Sequence, residues 1–302
     1  MKRKTIRIIL TVVLAAVFAV SVGMMIFDQI EYQQTIDTAE EAARIAGLPV
    51  GNELRRPETA PPAENPPMET EGPEPSGREP AETELPAEPT KEPEVEPPPE
   101  WYLLPAEARD LAWINLEALR AVNREVVGWI SIPGTMVSYP LMQGKNNEYY
   151  LNRSWKKEYM GSGSVFLEAT AGRELTDYHT IIYGHRMQNG TMFGSIKYYS
   201  RADYWRQHPS VYVVLDEVIY RYEIFAAHEA EVTSLVYRLD LEESNLKEEF
   251  LQYCISDSVL KTGLTPGEED RILTLSTCTG RGYESRWVVH GVLAEEYGRT
   301  KI

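Results

Sequence analysis

Residues 8–27, Ile8 through Phe27, form an apolar run of about the twenty residues a helix needs to cross roughly 30 Å of hydrocarbon. The run ends in Met24-Met25-Ile26-Phe27 rather than in small residues, which predicts an uncleaved anchor instead of a signal peptide. From 28 to 56 the pattern turns polar. A helix can continue to about Gly47, although Ile30, Ile36 and Ile45 make no convincing apolar stripe. Between 57 and 100 almost nothing large and apolar occurs, so burial cannot offset the ordering entropy of that segment. Patterning returns at Trp101 and persists to 302, predicting one folded domain. Leu111, Ile114, Leu116, Leu119, Val122 and Val126 recur at mostly helical spacing and predict one or two leading helices. Short β-branched and aromatic runs follow at Val127–Ile132, Ser164–Leu167, Thr180–Tyr183, Val211–Leu215, Tyr220–Ala227, Ile272–Ser276 and Trp287–Leu293. One helix interrupts them from about Leu246 to Val259, with Leu246, Phe250, Tyr253 and Cys254 on one face. A mainly β barrel or sandwich is expected.

Charge changes this picture in one place. Of a net charge of -16 over 302 residues, -11 lies in 57–100, where thirteen Glu face only Arg78 and Lys91 and prolines are dense. Proline and like-charge repulsion both favour extension, so this segment reads as a disordered stalk. The rest of the chain offers no basic surface, and no nucleic-acid partner is expected. Lys2, Arg3, Lys4 and Arg7 precede the apolar run, while Asp28 and Glu31 follow it. The positive-inside bias therefore puts residues 1–7 in the cytoplasm and everything after Phe27 outside, with 8–27 as a single membrane contact.

The two cysteines, Cys254 and Cys278, are too few for a disulfide framework and lack zinc-site spacing. Cys254 is expected to be a buried filler. Cys278 ends the run Ile272-Leu273-Thr274-Leu275-Ser276-Thr277-Cys278, in which Thr274, Ser276 and Cys278 share a face. A glycine-containing loop, 279–285, leads into Arg286-Trp287-Val288-Val289-His290. A symmetric hairpin puts Cys278 opposite Arg286, a thiol beside a fixed cation. A nucleophilic thiol needs a proton carrier. His290 falls opposite Thr274, too far along the strand; His208 precedes proline, His228 ends a strand and His179 lies in a polar turn. His185, at the end of Thr180-Ile181-Ile182-Tyr183-Gly184, occupies a strand-end loop, where catalytic groups are commonly presented. On local sequence alone, a core cysteine, a surface arginine and a structural histidine account for the same three residues.

Together, Thr274-Leu275-Ser276-Thr277-Cys278, Arg286 eight positions on, and Tyr183-Gly184-His185 before Met192-Phe193-Gly194 resemble a sortase of class B. Val127-Gly128-Trp129-Ile130, Ile132-Pro133-Gly134-Thr135, Tyr139-Pro140, Tyr149-Tyr150-Leu151 and Val288-Val289-His290-Gly291 support the likeness, which covers about 110–295. The long Pro/Glu segment is less typical of the family. The resemblance implies a closed β-barrel with leading helices and a helix inserted before the cysteine strand, all within 101–302. It implies a cysteine transpeptidase of a Gram-positive-type cell surface that cleaves a sorting-signal peptide through a thioester and transfers the acyl group to an amine of a peptidoglycan precursor or a pilin. Cys278 is then the nucleophile, His185 the acid and base, and Arg286 the oxyanion or substrate cation. Ser276, Thr277 and Thr279 are oxyanion or substrate-binding candidates. No cofactor and no metal are expected. A cysteine peptidase releasing its acyl group to water, a noncatalytic tethered module, and a metal site of His185, His290 and Cys278 stand as alternatives.

Overall fold

The computed structural model describes residues 2–49, 103–241, 243–278 and 284–299, with the backbone alone described for 2–12 and Cys278. The segment 57–100, assigned above to a stalk, and Thr279 lie outside the described residues.

Eight strands close a barrel in the order β1-β2-β3-β4-β7-β8-β6-β5. They are β1 (Val126–Ser131), β2 (Ser138–Met142), β3 (Val165–Leu167), β4 (His179–Tyr183), β5 (Ser210–Val214), β6 (Val218–Glu231), β7 (Ile272–Cys278) and β8 (Ser285–Gly298). Pairing is antiparallel except between β2 and β3 and between β4 and β7. Each predicted strand is present. β2 was not anticipated, because Pro140 lacks the N–H that a ladder uses and argues against a central strand. Its pairing with β3 begins only at Leu141, so Pro140 lies beyond that ladder.

Alternate side chains fill the barrel, including Ile130, Leu141, Val165, Ile182, Val213, Tyr222, Leu273, Leu275 and Val289. Outward-facing Trp129, Met142, Phe166, Tyr212 and Val214 join a second apolar layer with Leu111, Ile114, Leu116 and Leu119. Leu111 belongs to a 3-10 segment (Ala106–Trp113) that Ile114 ends, and Leu116 and Leu119 belong to α2 (Leu116–Val122), whose Asn115 side chain caps the Ala118 N–H at 2.9 Å. The short α3 (Ala202–Gln207) precedes β5. The helix expected before the cysteine strand is α4 (Ser244–Ser256); Phe250, Leu251 and Cys254 are buried over Phe225, Ala226 and Ile272.

The polar segment after the apolar run does have a packing face. α1 (Lys2–Ile45) is one continuous helix. Thr35, Ile36, Ala42 and Ala46 are buried, and the last two join the layer beside the leading helices. Their spacing follows one helical face, but alanine and threonine replace the large residues that make such a face visible. The Thr35 and Ser162 hydroxyls lie 2.7 Å apart, the Trp155 indole donates to the Thr38 carbonyl at 3.1 Å, and the Asn115 N–H donates to the Ala46 carbonyl at 2.9 Å. Within α1, Val13–Ile45 contains a window apolar enough for a membrane span.

Candidate active site

β4 and β7 run side by side with Tyr183 opposite Ser276. The Gly184 N–H extends the ladder past β4, donating to the Ser276 carbonyl at 3.2 Å. His185 is the next residue, just beyond the end of the β4 strand beside β7. On the other side of β7, Cys278 pairs with Arg286, the pairing expected from the hairpin count. Cys278 and Arg286 are therefore paired at one end of the barrel, and His185 follows the end of β4 at that same end.

Local sequence explains how the histidine is presented. A Cβ on Gly184 would lie 2.7 Å from the Phe193 ring, so glycine lets that ring pack against the backbone immediately before His185. The loop then folds back, with the Phe193 N–H donating to the His185 carbonyl at 2.9 Å. The half-buried His185 ring places Nε2 2.6 Å from the Leu151 carbonyl. A carbonyl only accepts, so Nε2 carries a proton, and in the neutral ring Nδ1 is the basic nitrogen. Arg286 is half-buried, and one guanidinium N–H donates to the Ser285 carbonyl at 3.0 Å.

The binding candidates fare differently. Ser276 is buried, and its hydroxyl lies 2.8 Å from the Tyr237 hydroxyl. Thr277 is also buried, and its hydroxyl has no hydrogen-bond partner among the described residues. Tyr183 donates to Glu168 at 2.9 Å; burial and the Glu168 carboxylate push its hydroxyl up, with the Arg286 charge acting the other way. The Leu151 carbonyl, Tyr237 and Glu168 were not identified from sequence. Only the Tyr149-Tyr150-Leu151 stretch carried a signal, and a backbone acceptor has no residue code.

The structure separates His290 from this end. His290 pairs with Thr274 on the barrel wall, and its Nδ1 is 2.9 Å from the Thr274 hydroxyl. That hydroxyl is also 2.8 Å from His179 Nε2, while His290 Nε2 is 3.0 Å from His228 Nε2. His179 is thus a buried strand residue rather than part of a polar turn. His228, Cys254 and His290 bring potential ligand atoms within 4.8 Å of one another. Burial, however, pushes the Cys254 thiol up and His290 well down, and lowers His179 to about 4. His290 thus belongs to a buried cluster on the barrel wall, four residues along β8 from Arg286, rather than to a group with His185 and Cys278.

The family model described as Sortase domain matches residues 130–294. The chain belongs to the sortase family. It is 35% identical to Sortase B of Listeria monocytogenes over 181 residues, covering 59% of this chain and 74% of that one. The Staphylococcus aureus sortase B–substrate complex is similar in structure, with a TM-score of 0.57 and 27% identity, covering 65% of this chain and 92% of that chain. A sortase B complexed with triglycine gives a TM-score of 0.57 and 29% identity, covering 60% and 85%. This sortase is accordingly of class B, a cysteine transpeptidase that cleaves sorting signals.

Proposed function

We propose that Cys278 is the nucleophile of this transpeptidase, His185 its acid and base, and Arg286 the cation that holds the developing oxyanion or the substrate backbone. The observation that supports these roles is that Cys278 and Arg286 pair at the barrel end where His185 follows β4. In acylation the Cys278 thiol proton passes to His185, the sulfur bonds to the scissile carbonyl carbon, the peptide C–N bond breaks, and the leaving amine takes that proton from the imidazolium. In the second half an incoming amine attacks the thioester and gives its proton to the imidazole, restoring the thiol–imidazole pair. The Leu151 carbonyl keeps the ring oriented through both halves. Arg286 supplies a planar fork of donors where negative charge develops.

The triglycine-bound relative supports a short amine-terminated peptide as acceptor, as a peptidoglycan precursor or a pilin would provide. The exposed apolar stretch of α1 supports a single-pass anchor at 8–27, with the amino terminus cytoplasmic and the catalytic domain on the outer face of a Gram-positive-type membrane. A sorting-signal peptide library tests the assignment. The intact chain, incubated without amine and analysed by mass spectrometry, gains an acyl mass on the Cys278 peptide, and triglycine discharges it. An adduct that persists in Cys278→Ala refutes the nucleophile.

A further inference from the structure

The two ends of the barrel are distinct, and α1 connects them. One end carries Ser131 of β1, Ser138 of β2, Tyr183 of β4, Cys278 of β7 and Ser285 of β8; the other carries Met142, Ile272 and Gly298. Glu31 and Thr35 reach the first end, where a Cβ on Gly161 would meet the Glu31 carboxylate at 2.2 Å and Thr35 meets Ser162. Ala46 reaches Asn115 near the second end, where the Ala112 carbonyl accepts from Arg299 at 3.0 Å. At 1.5 Å per residue, Thr35 to Ala46 spans about 16 Å along the barrel. From Phe27 to Glu31 the same continuous helix advances only about 6 Å, comparable to one headgroup layer.

We propose that α1 carries the membrane segment directly into the barrel and turns the His185–Cys278–Arg286 end toward the bilayer, whose headgroup surface is the partner of that face. This rests on the reading of 8–27 as an anchor. The catalytic end then lies roughly 6–12 Å beyond the apolar run and the opposite end near 30 Å. An ordinary helix tilt of about 20° shortens these heights by less than a tenth. The Pro/Glu segment does not set that height. It leaves after Pro49 and returns by Leu104, and both flanks belong to the unit that contains the barrel. An acyl donor consequently reaches the site along the bilayer surface.

Full-length chain in lipid vesicles tests the orientation. In a Cys278→Ala background, with Cys254 buried, exposed Gln188 beyond His185 and exposed Thr176 at the opposite end are replaced singly by Cys and labelled with an environment-sensitive fluorophore. Headgroup nitroxide lipids should quench the label at 188 several-fold more than that at 176, and removal of 57–98 should leave the contrast unchanged. A flexible Gly-Ser insertion after Asp28 should abolish it. Equal quenching, reversed quenching or no quenching of vesicle-bound protein overturns the orientation while retaining the anchor. Contrast that survives the insertion overturns α1 as its cause, and contrast lost with 57–98 makes that segment the determinant. Failure to float with vesicles overturns the anchor and the orientation together.

Discussion

Gly163 links backbone conformation to the histidine proposed as acid and base. Its φ is +60°, and a Cβ built there would lie 2.4 Å from the Tyr150 carbonyl oxygen and 2.6 Å from that of Leu151. Leu151 supplies the acceptor for His185 Nε2 at 2.6 Å. In Gly163→Ala the left-handed conformation alone costs about 1–2 kcal/mol. Ordinary contact begins near 3.4 Å, so both carbonyls must also retreat by close to 1 Å. An N–H···O bond is good only to about 3.2 Å, and the His185 bond does not survive a retreat of that size along its axis. Losing a hydrogen bond to an ionising partner costs about 1.5–3 kcal/mol, or roughly ten- to hundredfold in the acylation step if the ring orientation is lost with it.

Gly263 provides the control. Its φ is +82°, with nothing within 4 Å of a built Cβ, so Gly263→Ala should pay the conformational cost alone. Urea unfolding of both variants gives the stability difference due to the clash, expected to be about 1–2 kcal/mol beyond the control. Single-turnover acylation gives the kinetic loss, expected only in Gly163→Ala. Equal stabilities, or wild-type acylation by Gly163→Ala, would refute the proposed link between this backbone position and His185.

Arg286→Lys keeps the charge but loses the planar fork, and acylation should fall by about a hundred- to thousandfold with circular dichroism unchanged; near-wild-type rates reduce Arg286 to a general electrostatic role. Ala42 is fully buried where α1 meets the leading helices, so Ala42→Leu should lower stability by about 1–3 kcal/mol in urea unfolding, whereas an undocked helix would tolerate it. His179 is lowered to about 4 by burial; its folded pKa lies below its unfolded one, so its stabilisation is complete above about 6.5 and disappears as pH falls towards 4, about 3 kcal/mol in all. Unfolding titrations should show this loss, and His179→Gln should make it shallower, leaving the share of the buried His228 and His290, which burial also lowers; an unchanged slope in the variant contradicts the assignment.

The strands were legible because β-branched residues alternate between two demanding environments, barrel interior and covered exterior. Ile130 and Trp129 occupy those respective layers in β1. The Cys278–Arg286 pairing was legible for a simpler reason: a hairpin count fixes register once both strands are recognised. His185 needed the family likeness, since a strand-end histidine has no unique pattern, and its Leu151 partner is a main-chain atom that any residue supplies. The segment after the apolar run illustrates the converse. Hydrophobic periodicity detects faces that bury large side chains, whereas α1 approaches through Thr35, Ala42 and Ala46 and fixes its seat with backbone carbonyls at Thr38 and Ala46. Such a face buries little area per residue but permits close approach, and its specificity resides in partners more than a hundred positions away, Trp155 and Ser162. The sequence pattern that marks a solvated helix therefore also fits one docked through small residues, and only the barrel's own surface distinguishes them.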